Sequence, residues 1–343
     1  MKRREFLTTS AIGIIGDGVT FPAIAAPGII ARQPPDWAGR DLSGMVLDDV
    51  DLAGADLRGC RMHGTTFRRA DLRGSRLDDT DIQGAKFDGA KMDGASMQRA
   101  AISKSSFRFA GMNALCADQA RFDGVHFESA QLKSVRFRQC EFGSAYFDGA
   151  VMPDADFSSS ILVQDFVLSM RSAILTGGRF SNLTIRYSDD RLGPTLVYLD
   201  GADAAHTDFS GLRAAVLCDG TSFRGANLEN ADFCRGHDGK SEGYCRCMGA
   251  DFSHANLRGG NLAPAIFDGV CQPGVGEEHF LPPLFKGADL RNAKITFKID
   301  DAVEDANIRK SLTRRFVDIG EDRFAGAIFG DTRINGRQII GGR

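Results

Sequence analysis

From Leu42 the chain places a large apolar residue at every fifth position. Of the 25 such sites from 42 to 162, 24 carry Leu, Ile, Met or Phe, and only Ala117 departs. Two residues before each, positions 40 to 160 are small or Val at 22 of 25 sites, for example Ala55, Ala70, Ala85, Ala90, Ala95 and Ala100. A step of five rotates by about 140° on an α-helix and flips the side chain across a strand, so neither regular structure keeps one face. The chain must therefore turn once per repeat. Glycine at the last position of many units (Gly44, Gly54, Gly59, Gly64, Gly74, Gly84) supplies the backbone freedom for that turn. This accounts for an unusual composition, 40 Gly and 25 Phe against 4 Tyr and 1 Trp.

The number of sides per coil follows from charge. If coils stack like β-strands, residues one coil apart lie about 4.8 Å apart, and opposite charges should follow one another. Opposite pairs dominate when every twentieth position is compared, as in the column Asp48, Arg68, Asp88, Arg108, Glu128, whereas every fifteenth position shows no such preference. The same fourfold grouping stacks Phe67, Phe87, Phe107, Phe127 and Phe147 inside. With the motif A-[DN]-L-x-x plain in Ala55-Asp56-Leu57, Ala70-Asp71-Leu72 and Ala226-Asn227-Leu228, the chain resembles the pentapeptide-repeat family. That resemblance implies an all-β solenoid, a right-handed quadrilateral β-helix whose stability is nearly a sum over neighbouring coils.

The repeat organises the rest of the chain. Residues 1–25 resemble a twin-arginine signal peptide: Arg3-Arg4 is followed by Phe6-Leu7, a weak apolar stretch at 11–15 and Ala23-Ile24-Ala25 before the expected cleavage. Residues 26–41, with Trp37, read as an N-terminal cap, and 42–167 as the regular β-helix. From 168 to 299 the repeat is interrupted by insertions at 186–198, 234–248 and 269–284, expected to form loops. A fourth interruption, at 300–322, spaces Val303, Ile308, Leu312 and Phe316 by four or five, which predicts a short helix. The segment 300–343 is then a cap or a self-association element through which a homo-oligomer would form. No run approaches the 18 or so apolar residues of a membrane span.

Chemistry-bearing residues concentrate in the interruptions. Cys60 and Cys140 sit at small inward positions four coils apart, too far for a disulfide. Cys218, Cys234, Cys245, Cys247 and Cys271 cluster, and two readings stand: one or two loop disulfides among the five, or a metal site of Cys234, His237, Cys245 and Cys247 suited to zinc or copper. Asp189, Asp190, His206, Asp208, His254 and His279 are the polar residues that a catalytic cleft would use. No P-loop, nucleotide-binding glycine motif or paired-His metal motif is present.

A net charge of -3 on 343 residues argues against a polybasic nucleic-acid binder. Some pentapeptide-repeat proteins mimic DNA and bind topoisomerases, which needs a strongly negative surface; alternating charge columns disfavour it here. The expectation is an exported protein, periplasmic or secreted by the twin-arginine route, that binds or scaffolds a protein or glycan partner through loops 186–284, with no nucleic-acid partner. The competing expectation is a periplasmic enzyme, either a metalloprotein using the 234–247 loop or a β-helix acting on glycans, a fold analogy that carries little weight by itself.

Overall fold

The computed structural model describes residues 36–163, 167–186, 196–234, 245–267, 283–299, 321–325, 327–329, 332–334 and 337–339. The signal-like segment lies outside them, as do residues 300–320 of the segment 300–322 expected to be a helix. Within them the chain is an all-β solenoid of short parallel strands such as Asp81–Gln83, Ala101–Ser103 and Arg121–Asp123, paired one coil to the next.

Local geometry follows the repeating unit. The amide two residues before each central residue bonds the carbonyl of the previous central residue, as Ala70 N does to Phe67 O at 3.1 Å. Between them the second residue after the centre takes a left-handed φ, 66° at both Gly59 and Gly64. A three-residue reach with a left-handed third residue is the mark of a type II turn. The central residue's own amide donates upward instead: Leu57 N reaches Arg76 O at 2.8 Å and Phe67 N reaches Lys86 O at 2.7 Å.

Four ladders of parallel bridges result. The first runs through Asp36, Asp56, Arg76, Ser96, Cys116, Arg136 and Asp156; the second through Asp41, Arg61, Asp81, Ala101, Arg121, Glu141 and Ile161. The third runs through Val46, Thr66, Lys86, Ser106, His126 and Tyr146; the fourth through Asp51, Asp71, Lys91, Gly111, Gln131 and Val151. Every step along these ladders spans four repeat units, the grouping that the charge columns select.

The central residues fill the interior. Ring centroids in the Phe67, Phe87, Phe107, Phe127, Phe147 stack are 4.8, 4.6, 5.1 and 4.6 Å apart. Ala117 is fully buried among the central residues, so its small side chain breaks the sequence pattern without breaking the coil. Each buried Phe contributes about 1.5–3 kcal/mol of transfer free energy. Polar residues at the small inward position are satisfied by carbonyls: Thr65 Oγ1 donates to Leu42 O at 2.8 Å and Ser160 Oγ to Phe137 O at 2.7 Å.

Above Asp156 the coil length changes. On the first ladder Asp156 pairs with Arg179, Arg179 with Asp208, Asp208 with Asn227, Asn227 with Asn256, Asn256 with Asp289 and Asp289 with Ile328. Every one of these coils is longer than the regular coil except that from Asp208 to Asn227, which is shorter. Where both sides are described, the change falls between the second and third ladders. The chain ends a second-ladder strand at Val163 or Arg186 and rejoins the third ladder at Val167 or Leu196; after Cys234 it rejoins at Cys245. In the short coil the same passage runs from Arg213 directly into the third-ladder strand Ala215–Leu217. The last two coils leave from the same side, after the strands Asn261–Phe267 and Lys294–Ile299.

Outside, ion pairs decorate the ladders. Asp49 and Arg69 meet at 2.5 Å, Asp79 and Arg99 at 2.7 Å, Asp118 and Arg138 at 2.6 Å. The Arg58 hydrogen bond, opposed by slight burial, holds Asp56 down to about 2. Burial pushes the Asp118 carboxyl up, but Arg138 hydrogen bonds and the Arg136 charge outweigh it and leave it below its ordinary value. Carboxyls depressed in the folded state contribute stability that is fully present above the ordinary carboxylate range and lost as pH falls toward the folded value.

Stability in a denaturant titration is therefore expected to be flat from about pH 5 to 8 and to fall between about pH 4 and 2. Asp118→Asn should remove part of that slope. Phe107→Ala is expected to cost about 3–5 kcal/mol by cavity formation. Phe109→Ala, two residues away at 68% exposure, should stay within about 0.5 kcal/mol, and equal effects at the two sites would contradict the inward column.

Candidate functional site

The third ladder changes character as it climbs. Its central column passes from Phe147 to Met170 and Leu199 and then to Cys218 and Cys247. Cys218 N donates to Arg246 O at 2.7 Å, which sets the two cysteines one coil apart in the place that phenylalanine occupies below. Cys245 holds the adjacent small inward position and is bonded to Cys234, with a Cα separation of 4.8 Å. That separation lies inside the usual disulfide range. Four of the five clustered cysteines are thus brought together at the passage from second to third ladder, and Cys271 lies outside the described residues.

Burial sets their chemistry. It pushes the Cys218 and Cys247 thiols well above their ordinary value, with the neighbouring Cys247 and the Asp219 charge adding to the shift of Cys218. Both are free thiols in the hydrophobic interior, as are Cys60 and Cys140, the latter pushed up to about 12 by burial. Thiols of this kind are poor nucleophiles and poor metal ligands, because both roles need the thiolate. In the oxidised form described here Cys234 and Cys245 bond each other, and His237 lies outside the described residues. Among the described residues no group of three or more His, Cys, Asp or Glu side chains is arranged to hold a metal ion.

Directly outside these cysteines lies a charge cluster that linear sequence reading misses. Arg246 Nε meets Asp219 Oδ2 at 2.5 Å, and its Nη2 lies 3.6 Å from Asp200. Asp200 also faces Arg171 at 3.5 Å, and the Arg171 guanidinium sits 3.9 Å over the Tyr198 ring. Asp219 in turn accepts from Met248 N at 2.8 Å, so the pair fixes the chain where it rejoins the coil. Of these residues only Arg171 and Asp200 form an opposite-charge step along one column, and the lengthened coil between them takes that step out of the constant period.

The remaining candidates separate. His206 and His254 both occupy left-handed turn positions after the fourth ladder, with φ of 57° and 59°. Each imidazole lies over the glycine of the next coil; a Cβ at Gly225 would come within 2.7 Å of His206 Nδ1, so that glycine is needed for the packing. Asp208 accepts from Ser210 N and from Asn227 Nδ2, both at 3.0 Å, and Asn227 Oδ1 accepts from Asn256 at 3.0 Å. Asp208 thus belongs to an amide ladder. Asp189, Asp190 and His279 lie outside the described residues.

Comparison with known proteins agrees with this architecture. Residues 41–74, 70–108 and 245–271 match a family model described as pentapeptide repeats, and residues 117–161 match a second model of the same description. The chain is a pentapeptide-repeat β-helix protein. No curated protein matches the sequence. Similar solved structures include HetL, a pentapeptide repeat protein involved in heterocyst differentiation regulation in the cyanobacterium Nostoc sp. strain PCC 7120. It is 20% identical over 74% of this chain and 87% of its own, with a TM-score of 0.27. A pentapeptide repeat protein from the Arabidopsis thaliana thylakoid lumen is 26% identical over 29% of this chain and 70% of its own, with a TM-score of 0.29. QnrB1, a plasmid-mediated fluoroquinolone resistance protein, is 16% identical over 68% of this chain and 96% of its own, with a TM-score of 0.30.

Peptide mapping of non-reduced protein should recover Cys234 linked to Cys245, at a sequence separation of 11. Cys234→Ser is expected to cost about 3 kcal/mol, the chain-entropy value for a loop of that size. Native protein should alkylate at partly exposed Cys116 while Cys60, Cys140, Cys218 and Cys247 stay protected until unfolding; rapid native labelling of Cys247 would contradict its inward placement.

Proposed function

We propose that this chain is an exported binding or scaffold protein that presents loops from one corner of a right-handed, four-sided β-helix to a protein or glycan partner. The observation that carries the reading is the gathering of the coil-length changes at the passage that follows the second ladder. Extra residues after Val163, Arg186 and Cys234 thereby leave and return at one corner, with the short coil at Arg213 between the second and the third. That is how a solenoid builds a continuous binding edge. The Cys234 to Cys245 bond and the Arg246 cluster support it, since they brace the points where one such segment leaves and returns.

Export rests on the sequence of residues 1–25. A disulfide is compatible with an oxidising compartment. The mixed sign of the surface, with Asp48, Asp49, Asp79 and Asp118 each facing an Arg one coil away, is unlike the uniform negative charge that imitation of DNA requires.

The test has two parts. Arg3→Lys with Arg4→Lys should retain the full-length protein in the cytoplasm, read by fractionation. Replacing residues 187–195 and 235–244 with short linkers should leave cooperative unfolding in place and abolish crosslinking to periplasmic components. Crosslinking that persists undiminished would sink the reading.

A further inference from the structure

An open cleft of about 470 Å³ lies at a different corner, between the first and second ladders, across the coils centred on Phe180, Phe209 and Leu228. At its floor the Asn182 side chain lies over Gly211. Gly211 stands at the turn position between Asn182 below and Asn230 above, with φ of +67°, and a Cβ there would lie 3.0 Å from Asn182 Oδ1. Around this contact stand Thr184, Ser210, Arg213 and Glu229.

Arg213 is exposed, and none of the hydrogen bonds or ion pairs of the described residues engages its guanidinium. This differs from the same ladder lower down, where Arg121 and Arg186 both reach Glu141, at 3.6 and 3.0 Å. The side chains of Asn182, Thr184, Ser210 and Asn230 likewise make no hydrogen bond to another described side chain. Among the described residues Glu229 accepts only a long bond, 3.4 Å, from Asn256 Nδ2.

The lining selects a ligand chemistry. It holds no apolar or aromatic side chain, so an apolar peptide segment has nothing to bury against and a nucleobase has no ring to stack on. One guanidinium is too few for a phosphate polymer, which is bound by many cations at once. A single fork-shaped cation suits one carboxylate, which it can take with two parallel hydrogen bonds. The amides and hydroxyls on both sides donate and accept, and Glu229 accepts, as a ring of hydroxyl groups requires. We propose that this cleft binds a uronic acid residue of an acidic polysaccharide, carboxylate on Arg213 and hydroxyls on Asn182, Ser210, Glu229 and Asn230.

The site is separate from the loop-bearing corner and does not depend on that reading. The test is calorimetric titration of the full chain with oligogalacturonate, its methyl ester and inorganic phosphate. Oligogalacturonate should bind, the uncharged ester at least tenfold more weakly, and phosphate no better than the ester. Arg213→Gln should weaken oligogalacturonate at least tenfold and leave the ester unchanged, while Arg213→Lys should fall between, keeping the charge but losing the fork. These substitutions are at an exposed position, and unchanged thermal unfolding checks that the coil is intact. The proposal is overturned by absence of binding, by binding indifferent to Arg213→Gln, or by phosphate binding as tightly as the oligomer. A chain carrying linkers in place of 187–195 and 235–244 should bind oligogalacturonate as before, so loss of the loop-borne partner and loss of the sugar are read separately.

Discussion

The left-handed residue that closes each side is the constraint on which the coil depends. Without it the chain cannot turn with the short bond from central carbonyl to the third amide beyond, and no ladder forms. The conformation costs about 1–2 kcal/mol for any residue with a Cβ. Glycine avoids that cost at positions such as Gly59 and Gly64, yet many turns carry other residues. Several of these recover it through the turn above or below. Asp49 and Arg69, both left-handed, pair across one coil, as do Asp79 and Arg99, and Gln119 Nε2 donates to Gln139 Oε1 at 3.2 Å. Corner columns are therefore paired like the faces.

With turns fixed, the interior has little freedom. Each side contributes one large and one small inward residue, and the ladder places each over its counterpart one coil down. A stacked ring gains contact on both faces, which favours repeating the same residue, and hence the long phenylalanine runs. The first column shows how the packing adapts: with fully buried Ala117 below Phe137, Phe122 meets Phe137 edge-on at 5.3 Å and 88°. The small inward position tolerates Ser and Thr because a carbonyl of the previous side or coil is always within reach, which apolar patterning alone would not suggest.

The sequence made the coil legible wherever its period was constant. Leu42 to Leu162 could be placed, side by side and coil by coil, because one fixed offset relates every neighbour. Beyond Asp156 the relation changes from coil to coil, so Cys218 and Cys247 occupy successive coils of one column with nothing in the regular period to mark them as neighbours. The clustering of cysteines was visible by density. Their pairing was not, since it depends on where the chain leaves the second ladder and rejoins the third. His206 and Asp208 lie two residues apart in sequence, yet one occupies a turn and the other an amide ladder.

That the length changes described on both sides share one corner has a physical reason within the ladders themselves. A coil that gains residues keeps its pairing on the other sides only if the chain returns to the coil before the next side begins. The fourth-ladder column Phe223, Phe252, Phe285 and Phe324 stacks at 4.9, 5.2 and 5.2 Å although the chain between successive members grows longer each time. The core registers coil number and is indifferent to coil length. An extra segment at a second corner of the same coil would have to be accommodated without the adjacent closed side that now holds the register, so variation at a single edge is the least disruptive arrangement. The opposite consequence holds at the corner of Asn182, Gly211 and Asn230, where coil length does not vary and the surface changes only by substitution, so a cleft there is lined by side chains of the coils themselves.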